Sequence, residues 1–155
     1  MATYATGTTV PISKSRDEIE KTLTRYGATA FAYGWDDDRG LASVQFAMQG
    51  RQVRLMIPTP NMADAYRTPT GQRRSEGAAQ SAHEAAKRQR WRAMLLIVKA
   101  KLEAVESGIV SFEQEFLAHM VLPTGATVYE DLAAPVEEAY LTGAVRPLAI
   151  GAGNG

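Results

Sequence analysis

Arg88, Arg92 and Lys99 are spaced four and seven positions apart in a stretch rich in alanine and charge, so a helix would present them along one side. Such a row suits phosphates, because each Lys or Arg contact releases counterions and supplies affinity without reading a base sequence. Arg54 lies in a run that alternates like a strand, and Arg67, Arg73 and Arg74 lie in the segment joining that run to the helix. If that segment folds across the sheet edge, all seven groups would meet in one positive groove. Tyr66, among them, offers a ring on which an unpaired base could stack. The same residues also suit a solvated helix face, or one paired with acidic groups of this or a neighbouring chain.

Glu115 and His119, four apart in a stretch that reads as helix, have the spacing to share a divalent metal or to let a carboxylate orient an imidazole. Two ligands are too few for a site. Others would have to come from Glu103, Glu106 or the Asp36–Asp38 turn. A hydrogen bond within the helix, near its C-terminus where the dipole favours a protonated imidazole, is the preferred reading. Neither a metal nor any other cofactor is expected. Asp36 to Gly40 lacks the glycine and glutamate of a calcium loop and reads as a hairpin turn. No phosphate loop, dinucleotide fingerprint, nucleophile elbow or zinc-protease motif occurs, so no catalytic residue is assigned and an enzymatic role has no support.

These residues must be held by elements that the pattern makes plain. Residues 1–14 read as an extended arm, and Ser15 with Glu18 as a capping box opening a helix that Gly27 ends. Three alternating runs follow: Thr29 to Trp35, Ala42 to Met48 and Gln52 to Ile57. Their short connections predict an antiparallel meander. In the first run Phe31, Tyr33 and Trp35 form a stripe on one face. Core is the preferred reading, since such a sheet needs one apolar face; a base-stacking platform is the alternative.

From Pro58 to about Arg74 the residues are those of a loop. A long helix then runs from Ser75 or Glu76 to Ser107, with Trp91, Leu95, Val98, Leu102 and Val105 as its packing stripe. Its first half has no comparable stripe and is expected to project or fray. Ser111 with Gln114, and Thr127 with Glu130, form capping boxes for two further helices, the first bearing Phe112, Phe116 and Met120. Pro135 should kink or divide the second. The expected fold is therefore a single α+β domain over 15–148, a three-stranded meander packed by the long helix, with 149–155 as a flexible tail.

Charge is sorted along the chain although the 155 residues sum to zero. Residues 51–101 carry eleven basic against three acidic side chains, net +8, and residues 102–155 one against eight, net −7. Such asymmetry points to nucleic acid or to a surface of opposite sign. Cysteine is absent, which excludes disulfides and thiolate sites, and no apolar run approaches membrane-spanning length. A soluble cytoplasmic protein is expected.

Tyr26-Gly27-Ala28, Phe31 to Trp35, Trp91 to Leu96, Lys101 to Ile109 and Phe112 to His119 together resemble uncharacterised proteins of bacteria and their phages. A helix, a meander and a long basic helix in that order are also similar to the core of the single-strand annealing recombination proteins, which form rings with DNA in an outer positive groove. That similarity is of topology, and no DNA-contacting residue comes with it. The reading that follows is non-enzymatic binding of nucleic acid, single-stranded or without sequence preference, through Arg54, Tyr66, Arg67, Arg73, Arg74, Arg88, Arg92 and Lys99. The alternative is a homo-oligomer assembled through opposed charged surfaces, and a more distant one a metal-dependent nuclease using Glu115 and His119.

Overall fold

A computed structural model describes residues 7–145. The expected tail, 149–155, and residues 1–6 of the expected arm lie outside them, while 12–14 of that arm are already helical. The order is α1 (Ile12–Arg25), β1 (Ala30–Asp36), β2 (Leu41–Met48), β3 (Arg51–Pro58), α2 (Glu76–Glu106), α3 (Phe112–Phe116) and α4 (Val128–Thr142), with short 3-10 turns at Met62–Tyr66 and Leu117–His119. The class is α+β, as expected.

The three strands pair antiparallel in the order β1-β2-β3. Gln49 and Gly50, both at positive φ (51° and 72°), make the two-residue turn that sets Met48 opposite Arg51. That backbone matches the right-handed twist of the flanking strands. The register puts Phe31 opposite Phe46, Tyr33 opposite Val44 and Trp35 opposite Ala42, so the aromatic stripe shares a face with the buried Val53, Leu55 and Ile57. Helices α1 and α2 cover that face. The opposite face, with Ala32, Gln45 and Arg54, carries no helix among the described residues, and its side chains are exposed or half-buried.

Helix α2 supplies the main packing stripe, with Trp91, Met94, Leu95, Val98 and Leu102 buried. Phe116, fully buried, meets Phe46 edge-on at 5.7 Å and Phe112 at 5.1 Å. Beyond α3, Val121 N–H donates to Gln52 O at 2.8 Å, and Met120 bridges to Val53, so this segment borders β3. At the other edge, the side of β1 turned away from β2 has no strand partner among the described residues.

Several local expectations are corrected. Helix α1 begins at Ile12, after Pro11, and Ser15 is no cap: it lies fully buried in the stripe Ser15, Ile19, Thr22 and Leu23. Ser15 stands three residues before Glu18, as a capping box requires, but also four before Ile19, one helical turn, and burial of that face moves the helix start back. The first half of α2 neither projects nor frays, because the Met62–Tyr66 turn packs on it and Ala65 and Ala79 are both buried. Alanine leaves no stripe to read, yet its small side chain allows close approach. Pro135 does not divide α4. It is exposed, where water is at hand for the carbonyl that its missing N–H leaves free.

Candidate nucleic-acid interface

The eight residues expected to line one groove are distributed over three places. Arg54 is on the helix-free sheet face, where its guanidinium donates to Gly125 O at 3.1 Å. Strand alternation turns Arg54 away from Val53 and Leu55, and so from α2. Tyr66, Arg67, Arg73 and Arg74 belong to a compact loop. In it Arg74 donates to Ala65 O (2.9 Å) and Arg67 O (2.8 Å), Arg67 donates to Gly71 O (3.2 Å), and Arg67 and Arg73 pair as a bridge. Arg74 is thus a latch of the loop, while Arg73 is exposed.

Arg88, Arg92 and Lys99 do share one flank of α2, the flank that faces α1. Arg92 pairs with Glu18 at 3.0 Å and Lys99 approaches the same carboxylate at 4.0 Å, two cations on one anion. Arg88, one turn earlier, is half-buried, and its Nε has no hydrogen-bond partner among the described residues. The whole set therefore makes no single groove; of the eight, Arg88, Arg92 and Lys99 lie along one flank of α2.

A different cluster stands on the α1 side of the sheet. Tyr33 and Trp35, two apart on β1, project from one face with ring centroids 6.4 Å apart and planes 17° apart. Because β1 is an edge strand, α1 and α2 cover its face only in part: Tyr33 is 45% and Trp35 62% exposed. Phe31, toward the other end of the stripe, is half-buried and packs against the core. Trp91 reaches up from α2, only 2% exposed, to meet Tyr33 edge-on at 6.2 Å. Arg16 of α1 lays its guanidinium over Tyr33 (4.3 Å), Trp91 (4.5 Å) and Trp35 (5.3 Å). Such contacts are each worth about 0.5–1 kcal/mol at an exposed site. The Arg16 Nε also lacks a partner among the described residues.

From sequence this stripe reads as core first and stacking platform second; at the sheet edge Tyr33 touches the core through Trp91, yet it and Trp35 keep much of their surface exposed. Arg16 carried no signal at all in the sequence, since its meeting with Trp91 joins positions 75 apart in the chain. What the cluster offers chemically is flat aromatic surface beside fixed positive charge.

The Glu115 and His119 pair is also altered. Helix α3 stops at Phe116 and the chain tightens into a 3-10 turn through His119, so the two residues do not share an α-helical face. Glu115 is instead bound by the Lys101 ammonium at 3.0 Å. Among the described residues, no group of three or more His, Asp or Glu side chains is placed to hold a metal ion. Burial, and then the Lys101 charge, push the His119 imidazole below its usual 6.5, against a smaller upward pull from Glu115. Unfolded chain then binds this proton more readily than folded chain. Stability contributed by neutral His119 should be present above about pH 6.5 and be lost as pH falls from there toward the lowered folded value. Denaturant midpoints measured across this range should show that slope, and His119→Gln should remove it.

No helix among the described residues is long and apolar enough to cross a membrane. No family model matches the chain, and no curated protein or solved structure is significantly similar to it.

Proposed function

We propose that this protein binds nucleic acid without catalysis and without sequence preference, taking unpaired bases on Tyr33 and Trp35 and phosphates on Arg16 and the Arg88 flank of α2. The single observation that carries this reading is the exposed, near-parallel Tyr33–Trp35 pair with a guanidinium laid over it. Stacking on such rings tolerates any base, because every base has a π-face. Among the described residues neither Arg16 nor Arg88 forms an ion pair with a carboxylate, so each supplies a cation that is not already matched there, although its Nε is itself buried. The Arg92 and Lys99 pairing with Glu18 leaves one further net positive charge on the same flank.

The test is fluorescence anisotropy with labelled single strands of several sequences and with duplexes, over a salt series. Wild-type protein should prefer single strands and bind all of them with similar affinity. Arg16→Ala with Arg88→Ala should weaken binding to each strand alike and flatten the slope of log K against log salt by roughly 0.7 for each phosphate no longer neutralised. Absence of binding to every strand at low salt overturns the reading.

A further inference from the structure

Two apolar patches with opposite electrical borders lie apart from the aromatic cluster. The first is on α4, which is held mainly at its N-terminal end through Val128 and the Leu117–His119 turn. From that end outward, Tyr129, Val136 and Tyr140 are exposed (Tyr140 88%), and their spacing of seven and four lines them along one side of the helix. Glu130 and Glu137, also exposed, border this stripe. The second is a cleft of about 490 Å³ on the flank of α2 turned away from α1, between that helix and the end of β3. Met56 (41% exposed), Ile97 (42%), Pro58 and Ala93 wall it, and exposed Arg90 stands at its rim.

We infer that these are the two sides of one contact between copies of this chain: α4 of one copy seats Val136 and Tyr140 in the Met56–Ile97 cleft of the next, with Glu137 against Arg90. Exposed apolar surface with a polar rim marks an interaction site. Charge decides the occupant. The acidic border of the ridge matches the basic border of the cleft, and the mismatch of residues 51–101 (+8) with 102–155 (−7) extends that match beyond the rim. Packing α4 against another α4 would instead bring Glu130 and Glu137 toward their own copies, and like charges oppose that arrangement. Because ridge and cleft are different surfaces, the contact is heterologous and adds copies in one direction, closing as a ring or running on as a filament. It leaves Arg16, Tyr33 and Trp35 on the other flank of α2 uncovered, so it does not depend on the nucleic-acid reading.

Light scattering coupled to gel filtration tests it on the full chain. Wild-type protein at low salt and high concentration should be larger than the 16.8 kDa monomer. It should loosen near 1 M salt, where the screening length falls to about 3 Å and the charged rim no longer helps. Ile97→Asp and Tyr140→Asp should each give monomers. Mixed in equal amounts they should form a species of two, since one variant keeps an intact ridge and the other an intact cleft. Arg90→Glu should weaken assembly and Glu137→Arg in the same chain should restore it, a comparison that holds even if Ile97→Asp fails to fold. A monomeric wild type, an assembly untouched by these variants, or a mixture that stays monomeric overturns the inference.

Discussion

Trp91→Ala is expected to lower the unfolding free energy by about 3–5 kcal/mol, the usual range for truncating a buried tryptophan. Trp91 is 2% exposed, at the start of the α2 stripe and against the Tyr33 ring. Its removal takes away both apolar area and one of the three rings beneath Arg16. For a chain of this length about 2–4 °C of melting temperature goes with each kcal/mol, so the shift is large enough to read in a simple thermal scan. Trp91→Phe, which keeps an aromatic body in the site, should lose much less. An unchanged melting temperature in the alanine variant would mean that the ring is not part of the core.

The second large effect concerns affinity rather than stability. Tyr33→Ala with Trp35→Ala should weaken single-strand binding by about 1–3 kcal/mol for each base that no longer stacks, roughly five- to 150-fold per ring. Melting temperature should change far less than in Trp91→Ala, because both rings are substantially exposed. The chain has two tryptophans, one buried and one open, which gives a direct optical readout. In a Trp91→Phe background, emission from Trp35 should be quenched on adding an oligonucleotide, and duplex of the same length should quench it less. Unaltered affinity in the double variant would leave binding, if present, to the arginines alone and remove stacking from the mechanism.

Much of the fold was legible because local rules and tertiary packing agree. Alternation in Ala42 to Met48 and Val53 to Ile57 predicts strands with one buried face, and that face is buried. The capping boxes at Ser111 and Thr127 both form, with the side-chain and backbone bonds that the spacing implies. Ser75 caps α2, and Gly108 takes the positive φ that follows its end. At Ser15 the same box spacing fails, because burial of the Ser15–Ile19–Leu23 face outweighs one cap hydrogen bond. Spacing also misjudged Glu115 and His119, since relating them as neighbours on a helix assumes that the α-helix continues past Phe116.

By itself, then, the sequence determined the α+β class, the meander and its register-setting turns, the span of α2 and the sorting of charge along the chain. Those follow from periodicity and from turn and cap chemistry, which act over a few residues. Only the tertiary structure decided which charges remain available. Arg54 is turned to the other sheet face, Arg74 latches a loop, and Arg92 shares Glu18 with Lys99, while Arg16 arrives beside Trp91 from the far end of the sequence. It also decided that Tyr33 and Trp35 stay open. A strand pattern gives the face on which a ring stands, whereas its exposure depends on whether the strand lies at the centre or the edge of the sheet, and β1 lies at the edge.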